Sequence, residues 1–128
     1  MTLRFLVCLM VLVGVGCDTR SMNVSELVGT YSVKYPHGAE TLVLSADNTF
    51  TQVYAQLGNG GAITNSGNWA FKKDDGEILL KGVFVFDDSG HKRQPLEKSS
   101  WRIRIAKRLG KISLIIGEAG VLEYAKTR

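Results

Sequence analysis

The sequence predicts an all-β protein, an antiparallel up-and-down meander of about eight strands that closes into a small barrel. From Thr30 onward, apolar and polar residues alternate with a period of two almost everywhere. The breaks in this alternation are rich in Gly, Asn and Asp, which are turn residues. Closing the meander removes the two sticky edges that an open sheet would expose, and an open sandwich is the alternative.

The hairpin over residues 40–55 is the clearest part of this pattern. Two alternating runs flank a predicted turn at residues 46–48, where Asp accepts local hydrogen bonds and Asn tolerates a left-handed conformation. The predicted register places Leu44 opposite Phe50, Leu42 opposite Gln52 and Glu40 opposite Tyr54. An isolated two-stranded ribbon is barely stable in water, so we expect further strands to cover its apolar face.

A short helical turn is predicted before the first strand. Asn23 and Glu26 have the spacing of a capping box, and the helix is expected to end by Gly29. Leu27 is then placed to plug one end of the barrel.

The remaining strands follow from residues that share a face between turns. Turns are predicted at residues 36–38, 58–61, 65–67, 74–76, 87–90, 109–110 and 118–120. The inward sets between them are Tyr31, Val33 and Tyr35; Trp69 and Phe71; Ile78, Leu80, Phe84 and Phe86; Trp101, Ile103 and Ile105; Ile112, Leu114 and Ile116; and Leu122 and Tyr124. Arg102 and Arg104 are therefore expected on the outer face.

Residues 77–86 are apolar on both faces, and two explanations remain open. Gly82 introduces a bulge that swaps the faces. Alternatively, the outer residues Leu79, Val83 and Val85 form an apolar surface that the N-terminal turn or a partner protein covers.

Residues 1–17 differ from the rest of the chain. Arg4 precedes an apolar run over residues 5–13 and then small residues, which is typical of a secretory signal. The run is shorter than the roughly 20 apolar residues that span a bilayer. Val15-Gly16-Cys17 resembles the lipobox of bacterial lipoproteins, although Gly14 stands where that family usually has Leu, which leaves ordinary secretion open.

The lipoprotein resemblance implies cleavage before Cys17 and acylation of its sulfur and new amino group, for example by palmitate. The other cysteine, Cys8, lies inside the signal peptide, so no disulfide is expected within the mature chain. The resulting organisation is a signal peptide over residues 1–17, a tether over 18–24 and one barrel domain over 25–128. We therefore expect an exported protein, lipid-anchored in the bacterial cell envelope at either the inner or the outer membrane.

The start of the domain resembles lipocalin-like barrels, in which a helical turn leads into a Gly-x-Trp sequence. Gly29-Thr30-Tyr31 occupies that place, with Tyr instead of Trp, and the chain is nearer in size to the smallest barrels, such as avidins. The pattern from Leu42 to Phe50 also resembles small exported bacterial β-domains of unassigned function. These resemblances imply a small barrel whose interior holds side chains or one small ligand.

Motifs for catalysis or metal binding are missing from the sequence. His37 and His91 form no metal-spaced pair, there is no Gly-x-Ser-x-Gly elbow, and the acidic turns lack EF-hand spacing. A non-enzymatic protein without metal or cofactor is expected, with a hydrolase that uses Glu40 or a loop Asp as an alternative. The net charge of +4 is too small for a nucleic-acid binder.

Three surfaces are candidates for binding. A barrel mouth for a small apolar ligand is predicted from Tyr31, Tyr35, Glu40, Gln52, Tyr54, Trp69 and Trp101, although these residues can equally fill the core. The outer face of Leu79, Val83 and Val85 is the candidate for another envelope protein. The basic segment over residues 92–111 is either a solvated face or a contact with anionic lipid. A purely structural or inhibitory interaction module is a further alternative.

Overall fold

The computed structural model confirms the all-β prediction, because eight antiparallel strands close into a barrel. The structure describes residues 21–58, 60–86, 97–116 and 122–128. Its elements are α1 Val24–Leu27, β1 Gly29–Tyr35, β2 Gly38–Leu44, β3 Thr49–Gln56, β4 Ala62–Lys72, β5 Glu77–Phe84, β6 Lys98–Arg108, β7 Lys111–Ile116 and β8 Leu122–Lys126.

Each strand pairs with its neighbour in the chain, and β1 pairs with β8 to complete the barrel. Tyr31 lies opposite Lys126 in this last pairing, and the Thr127 amide donates to the Thr30 carbonyl at 2.8 Å. The helix end of the barrel carries α1 and the turns at residues 45–48, 73–76 and 109–110. The opposite end, here called the far end, carries the turns that follow β1 and β3.

The register predicted for the central hairpin is confirmed. Glu40 lies opposite Tyr54, and the two inner pairs closer to the turn are also those predicted. Asn48 has a φ of 65°, the left-handed conformation expected of Asn in this turn. Because alternate residues of both strands point inward, this register brings polar as well as apolar side chains into the barrel.

The helical turn caps one end of the barrel, as predicted. The Asn23 amide donates to Glu26 Oε2 at 2.8 Å, which is the return bond of a capping box. Leu27 is fully buried, and its carbonyl accepts a hydrogen bond from Tyr31 Oη at 2.7 Å. The bond ties α1 to the first strand, so Leu27 closes the helix end of the core.

The predicted inside–outside pattern of β6 and β7 is also confirmed. Arg102 and Arg104 are exposed, and the inward residues of both strands lie in the core cluster or pack against it. The inward residues are Trp101, Ile103, Ile105, Ile112, Leu114 and Ile116.

The turn predicted at residues 65–67 is wrong, because β4 runs without interruption through it. Gly67 is required there for another reason. A Cβ atom at this position would overlap the Lys81 carbonyl oxygen and lie 2.8 Å from the Phe50 ring. The glycine therefore allows close strand approach inside a regular strand.

The bulge explanation for β5 is the one observed. Gly82 has a φ of 85°, and the register with β6 shifts between Lys81 and Val83. Val83 consequently points inward and is 1% exposed, whereas Phe84 is half-buried, with Lys98 Nζ 5.9 Å from its ring. The prediction that Phe84 shares the inward face of Ile78 is therefore wrong.

Several predictions concern residues outside the described part of the chain. These are the signal peptide with Cys8 and Cys17, the tether up to residue 20, Asn59, the turns at 87–90 and 118–120, and His91 with the start of the basic segment. Lipid attachment at Cys17 stays a prediction.

Candidate functional site

A polar cluster lies inside the barrel toward its far end, with Glu40 of β2 at its centre. The side chain is 2% exposed. Its Oε1 accepts a hydrogen bond from Gln52 Nε2 at 2.7 Å, and its Oε2 accepts one from Tyr35 Oη at 2.9 Å. Tyr124 of β8 donates a further hydrogen bond to the carboxyl group. These donors are two phenols and an amide, all of them neutral.

Strand pairing explains why these side chains meet. Val33 is paired with Glu40 across β1 and β2, so Tyr35 lies diagonally across from the carboxyl group on the same face. Leu42 is paired with Gln52 across β2 and β3, which sets the amide one diagonal step away on the other side. Closure of the barrel then brings β8 against β1.

Burial dominates the electrostatics of the cluster. Removal from water raises the pKa of Glu40, and the hydrogen bonds from Gln52, Tyr124 and Tyr35 offset this only in part. Burial also raises the pKa of Tyr35 and of Tyr124, so both phenols remain protonated donors at neutral pH. An ionised Glu40 thus carries a charge that its neutral donors stabilise but do not neutralise.

Two side-chain amides continue the network to the bulge in β5. Gln52 Nε2 donates to the Phe84 carbonyl at 2.7 Å, and the Phe84 amide donates to Gln52 Oε1 at 2.9 Å. Asn65 Nδ2 donates to Gln52 Oε1 at 3.0 Å and to the Gly82 carbonyl at 2.7 Å. The described β4–β5 register ends at Asn68 opposite Lys81. These amides therefore bond backbone groups of β5 beyond that point.

Aromatic rings cover the cluster. Tyr54 stacks on Phe86, with ring centroids 4.1 Å apart and an interplanar angle of 17°. Tyr35 and Tyr54 also contact each other, at 6.4 Å between centroids. Among the described residues, every buried side-chain nitrogen and oxygen has a hydrogen-bond partner. The polar cluster is thus complete as it stands.

The structure brings together four of the seven residues predicted to line a ligand site, namely Tyr35, Glu40, Gln52 and Tyr54. The other three lie elsewhere. Tyr31 is at the helix end against Leu27. Trp69 Nε1 donates to the Ser45 carbonyl at 2.9 Å, beside the turn after β2, and Trp101 is half-buried opposite Leu80.

Sequence reasoning did not assign Asn65, Phe86 and Tyr124 to this site. Counting back from Trp69 by twos places Asn65 inward, and only the mistaken turn at 65–67 hid that signal. Tyr124 was predicted to face inward, but its meeting with Glu40 depends on closure between β8 and β1.

The proposed outer surface of Leu79, Val83 and Val85 does not form as one face. Val83 is inside the barrel, and Leu79 and Val85 are each half-buried on either side of the bulge. The bulge is the physical reason, because it shifts the alternation by one residue.

Two of the carboxylates in the described turns have structural partners. Asp47 Oδ1 accepts hydrogen bonds from the Thr49 hydroxyl at 2.6 Å and from the Thr49 amide at 3.1 Å. Asp75 lies 3.7 Å from Arg102 across a solvent-exposed contact. Within residues 21–58, 60–86, 97–116 and 122–128, no three His, Cys, Asp or Glu side chains cluster as a metal would require.

No helix in the described part of the chain is long and apolar enough to cross a membrane.

Comparisons with known proteins give no relative. No protein-family model matches the sequence, and neither the curated proteins nor the solved structures contain a match.

Proposed function

We propose that this protein is a non-enzymatic lipoprotein of the cell envelope whose barrel binds a small, largely apolar ligand at the cluster around Glu40. The observation that carries the proposal is a buried carboxyl group held only by neutral donors beneath the Tyr54–Phe86 stack. The ligand we infer has an apolar body and one hydrogen-bond donor, such as an amine.

The energetics of the core favour this assignment. A buried charge is costly, and replacing buried ionic groups with apolar ones is often neutral or stabilising. A carboxyl group is therefore not needed to fill the barrel. A ligand amine would supply the positive charge that the donors to Glu40 lack, and its apolar body would take the place of the Phe86 ring on Tyr54.

The envelope location rests on the signal peptide and on Cys17, which resembles a lipobox cysteine. An anchored barrel of this kind would hold its ligand close to a membrane. The predicted tether over residues 18–24 is shorter in the structure, because Met22 is buried in the core and α1 begins at Val24, and the few residues left after Cys17 limit how far the domain can move away.

Binding can be tested with the full chain purified in mild detergent. Binding of octylamine is compared with binding of octanoate, which has the same number of carbon atoms but a carboxylate head. We expect the amine to bind at least tenfold more tightly, and Glu40→Gln to weaken amine binding by about tenfold or more, because a charged hydrogen bond is lost.

Glu123→Gln is the matched control, since it removes a carboxylate from the exposed face of β8. This variant should bind the amine as the native chain does. Equal affinity for the two probes, or no effect of Glu40→Gln, would exclude a ligand site at Glu40 and leave the cluster with a structural role.

A second candidate function is contact with another envelope protein through the outside of β5. The bulge turns Phe84 outward, where it is half-buried beside Lys98, and leaves Leu79 half-buried on the same strand. A photo-crosslinking amino acid at position 84 should then capture one defined partner in cells. The same probe at Thr51, an exposed position on β3, serves as the control.

A further inference from the structure

The turn between β6 and β7 presents an exposed leucine that nothing in the fold requires. Leu109 is 103% exposed, and its φ is 50°. Gly110 follows with a φ of 76°, so both central residues of this two-residue turn are left-handed. Such turns favour Asn-Gly or Asp-Gly, because a branched L side chain is strained there. The barrel therefore does not bury Leu109, and the turn does not favour a leucine at this position, so neither effect explains it.

Two cations flank this leucine. Arg108 and Lys111 lie opposite each other in the β6–β7 register, and both are exposed. Like charges directly across a strand pair are unfavourable. A strained leucine and a repulsive pair thus meet in one turn, residues 108–111, which we call the basic tip. An unfavourable backbone conformation and a pair of like charges that occur in the same turn are expected at functional positions.

The chain enters the barrel beside the basic tip. Lys107 Nζ lies 2.8 Å from Glu26 Oε1, and Lys126 Nζ donates to the Glu26 carbonyl at 2.7 Å. Met22 is buried at the same end. Because four residue steps separate Cys17 from Ser21, they can span at most about 14 Å. Whatever is attached at Cys17 is held near this end of the barrel.

We infer that the basic tip docks on an anionic membrane surface, with Leu109 at the boundary of headgroups and acyl chains and with Arg108 and Lys111 on lipid phosphates. This inference rests on the proposed membrane tether and adds an orientation to it. The helix end faces the bilayer, and the far end with the Glu40 cluster faces away. A single apolar side chain between cations suits a charged lipid interface better than a protein surface.

The charge of another turn at the helix end predicts how the barrel tilts on the membrane. Asp47 lies in the turn after β2, across the barrel from the basic tip, and that turn holds no Lys or Arg. In the turn after β4, Lys73 and the contact of Asp75 with Arg102 offset the charge of Asp74 and Asp75. An anionic surface therefore repels the turn at Asp47 and attracts the basic tip. The barrel is therefore expected to rest on its β6–β8 side.

The orientation can be measured with the full chain reconstituted on vesicles of phosphatidylcholine with phosphatidylglycerol. Leu109→Trp is compared with Leu57→Trp, which places the same probe on an exposed leucine at the far end. Brominated lipids should quench the added fluorescence at position 109 at least twofold more than at position 57. The combined change Arg108→Gln and Lys111→Gln should weaken docking about 25-fold, at about fivefold for each charge.

The matched control for charge is Lys34→Gln with Lys98→Gln, which removes two exposed cations outside the basic tip and should leave quenching unchanged. Hydrogen exchange of the native chain gives a second readout, with vesicle-dependent protection expected over residues 107–112 and not over 53–58.

The outcomes separate the tether from the docking. A chain that sediments with vesicles but shows equal quenching at both positions, or stronger quenching at 57, overturns the docking and leaves the tether intact. A chain that stays in the supernatant overturns the tether and, with it, the docking.

Discussion

Replacing Glu40 with Gln tests whether the buried carboxyl group lowers the stability of the fold. The amide has nearly the same shape, can accept a hydrogen bond from Gln52 and can donate one to the Tyr35 hydroxyl. Because burial raises the pKa of Glu40 above its ordinary value of 4.5, the folded state binds the proton more tightly than the unfolded state does. At neutral pH, the variant should therefore be more stable than the native chain.

The sign of the pH dependence follows from this difference. The contribution of Glu40 to folding is fully present below about pH 4.5 and is lost as the pH rises through the higher pKa of the folded state. The native chain should lose stability relative to Glu40→Gln over that interval, and the difference should then stay constant.

Glu40→Leu measures the cost of leaving a buried hydrogen-bond donor of the cluster without its acceptor. Gln52 would keep its bond to the Phe84 carbonyl, and Tyr35 and Tyr124, which are within hydrogen-bond reach of each other, would share one bond. One phenol proton of that pair loses its acceptor, which costs about 1–3 kcal/mol for a buried donor. We therefore expect Glu40→Leu to be less stable than Glu40→Gln by about 1–3 kcal/mol.

The assay is urea denaturation of the full chain in mild detergent, monitored by tryptophan fluorescence and repeated from about pH 4 to about pH 8. A native chain that gains stability over Glu40→Gln as the pH rises would show that the ionised carboxylate is favourable in the barrel. That result would refute the inference that its donors leave the charge uncompensated.

Three further predictions concern the plug, the close strand approach and the anchor. Leu27→Ala should lower the free energy of unfolding by about 2–5 kcal/mol, whereas Val24→Ala, on the exposed side of α1, should change it little. Gly67→Ala should cost about 1–3 kcal/mol in thermal denaturation, and adding Phe50→Leu should recover part of that loss, because the Phe50 ring is one of the groups overlapped. Cys17→Ser should abolish incorporation of radiolabelled palmitate; label retained by this variant would remove the lipid anchor.

The sequence was sufficient for the strand register of the central hairpin. Alternation with period two and an Asp-Asn turn together leave one pairing that keeps Leu44 and Phe50 on the buried face. Gly82 shows where this reasoning stopped, because a bulge and a covered outer surface give the same two-faced apolar pattern. The turn predicted at residues 65–67 was wrong because a glycine that is needed for close packing cannot be distinguished in sequence from a turn glycine.

The candidate site was only half predictable for a geometric reason. Alternation tells which side chains face inward, but it does not give their height along the barrel axis. Tyr31 and Glu40 both face inward, and yet Tyr31 lies against Leu27 at the helix end. The contact between Glu40 and Tyr124 depends on closure of the barrel, which no local pattern specifies.

The sheet loses its last free edge only when β1 pairs with β8. Thr30 and Thr127, which bond across this pairing, are 97 positions apart. Contacts so distant in sequence carry a large loop-closure entropy and slow the folding of β-rich domains. During synthesis β1 is made first and β8 last, so one edge of β1 stays unpaired until β8 is available. During that interval the edge of β1 is open to pairing with another chain, and this is the stage at which aggregation is expected.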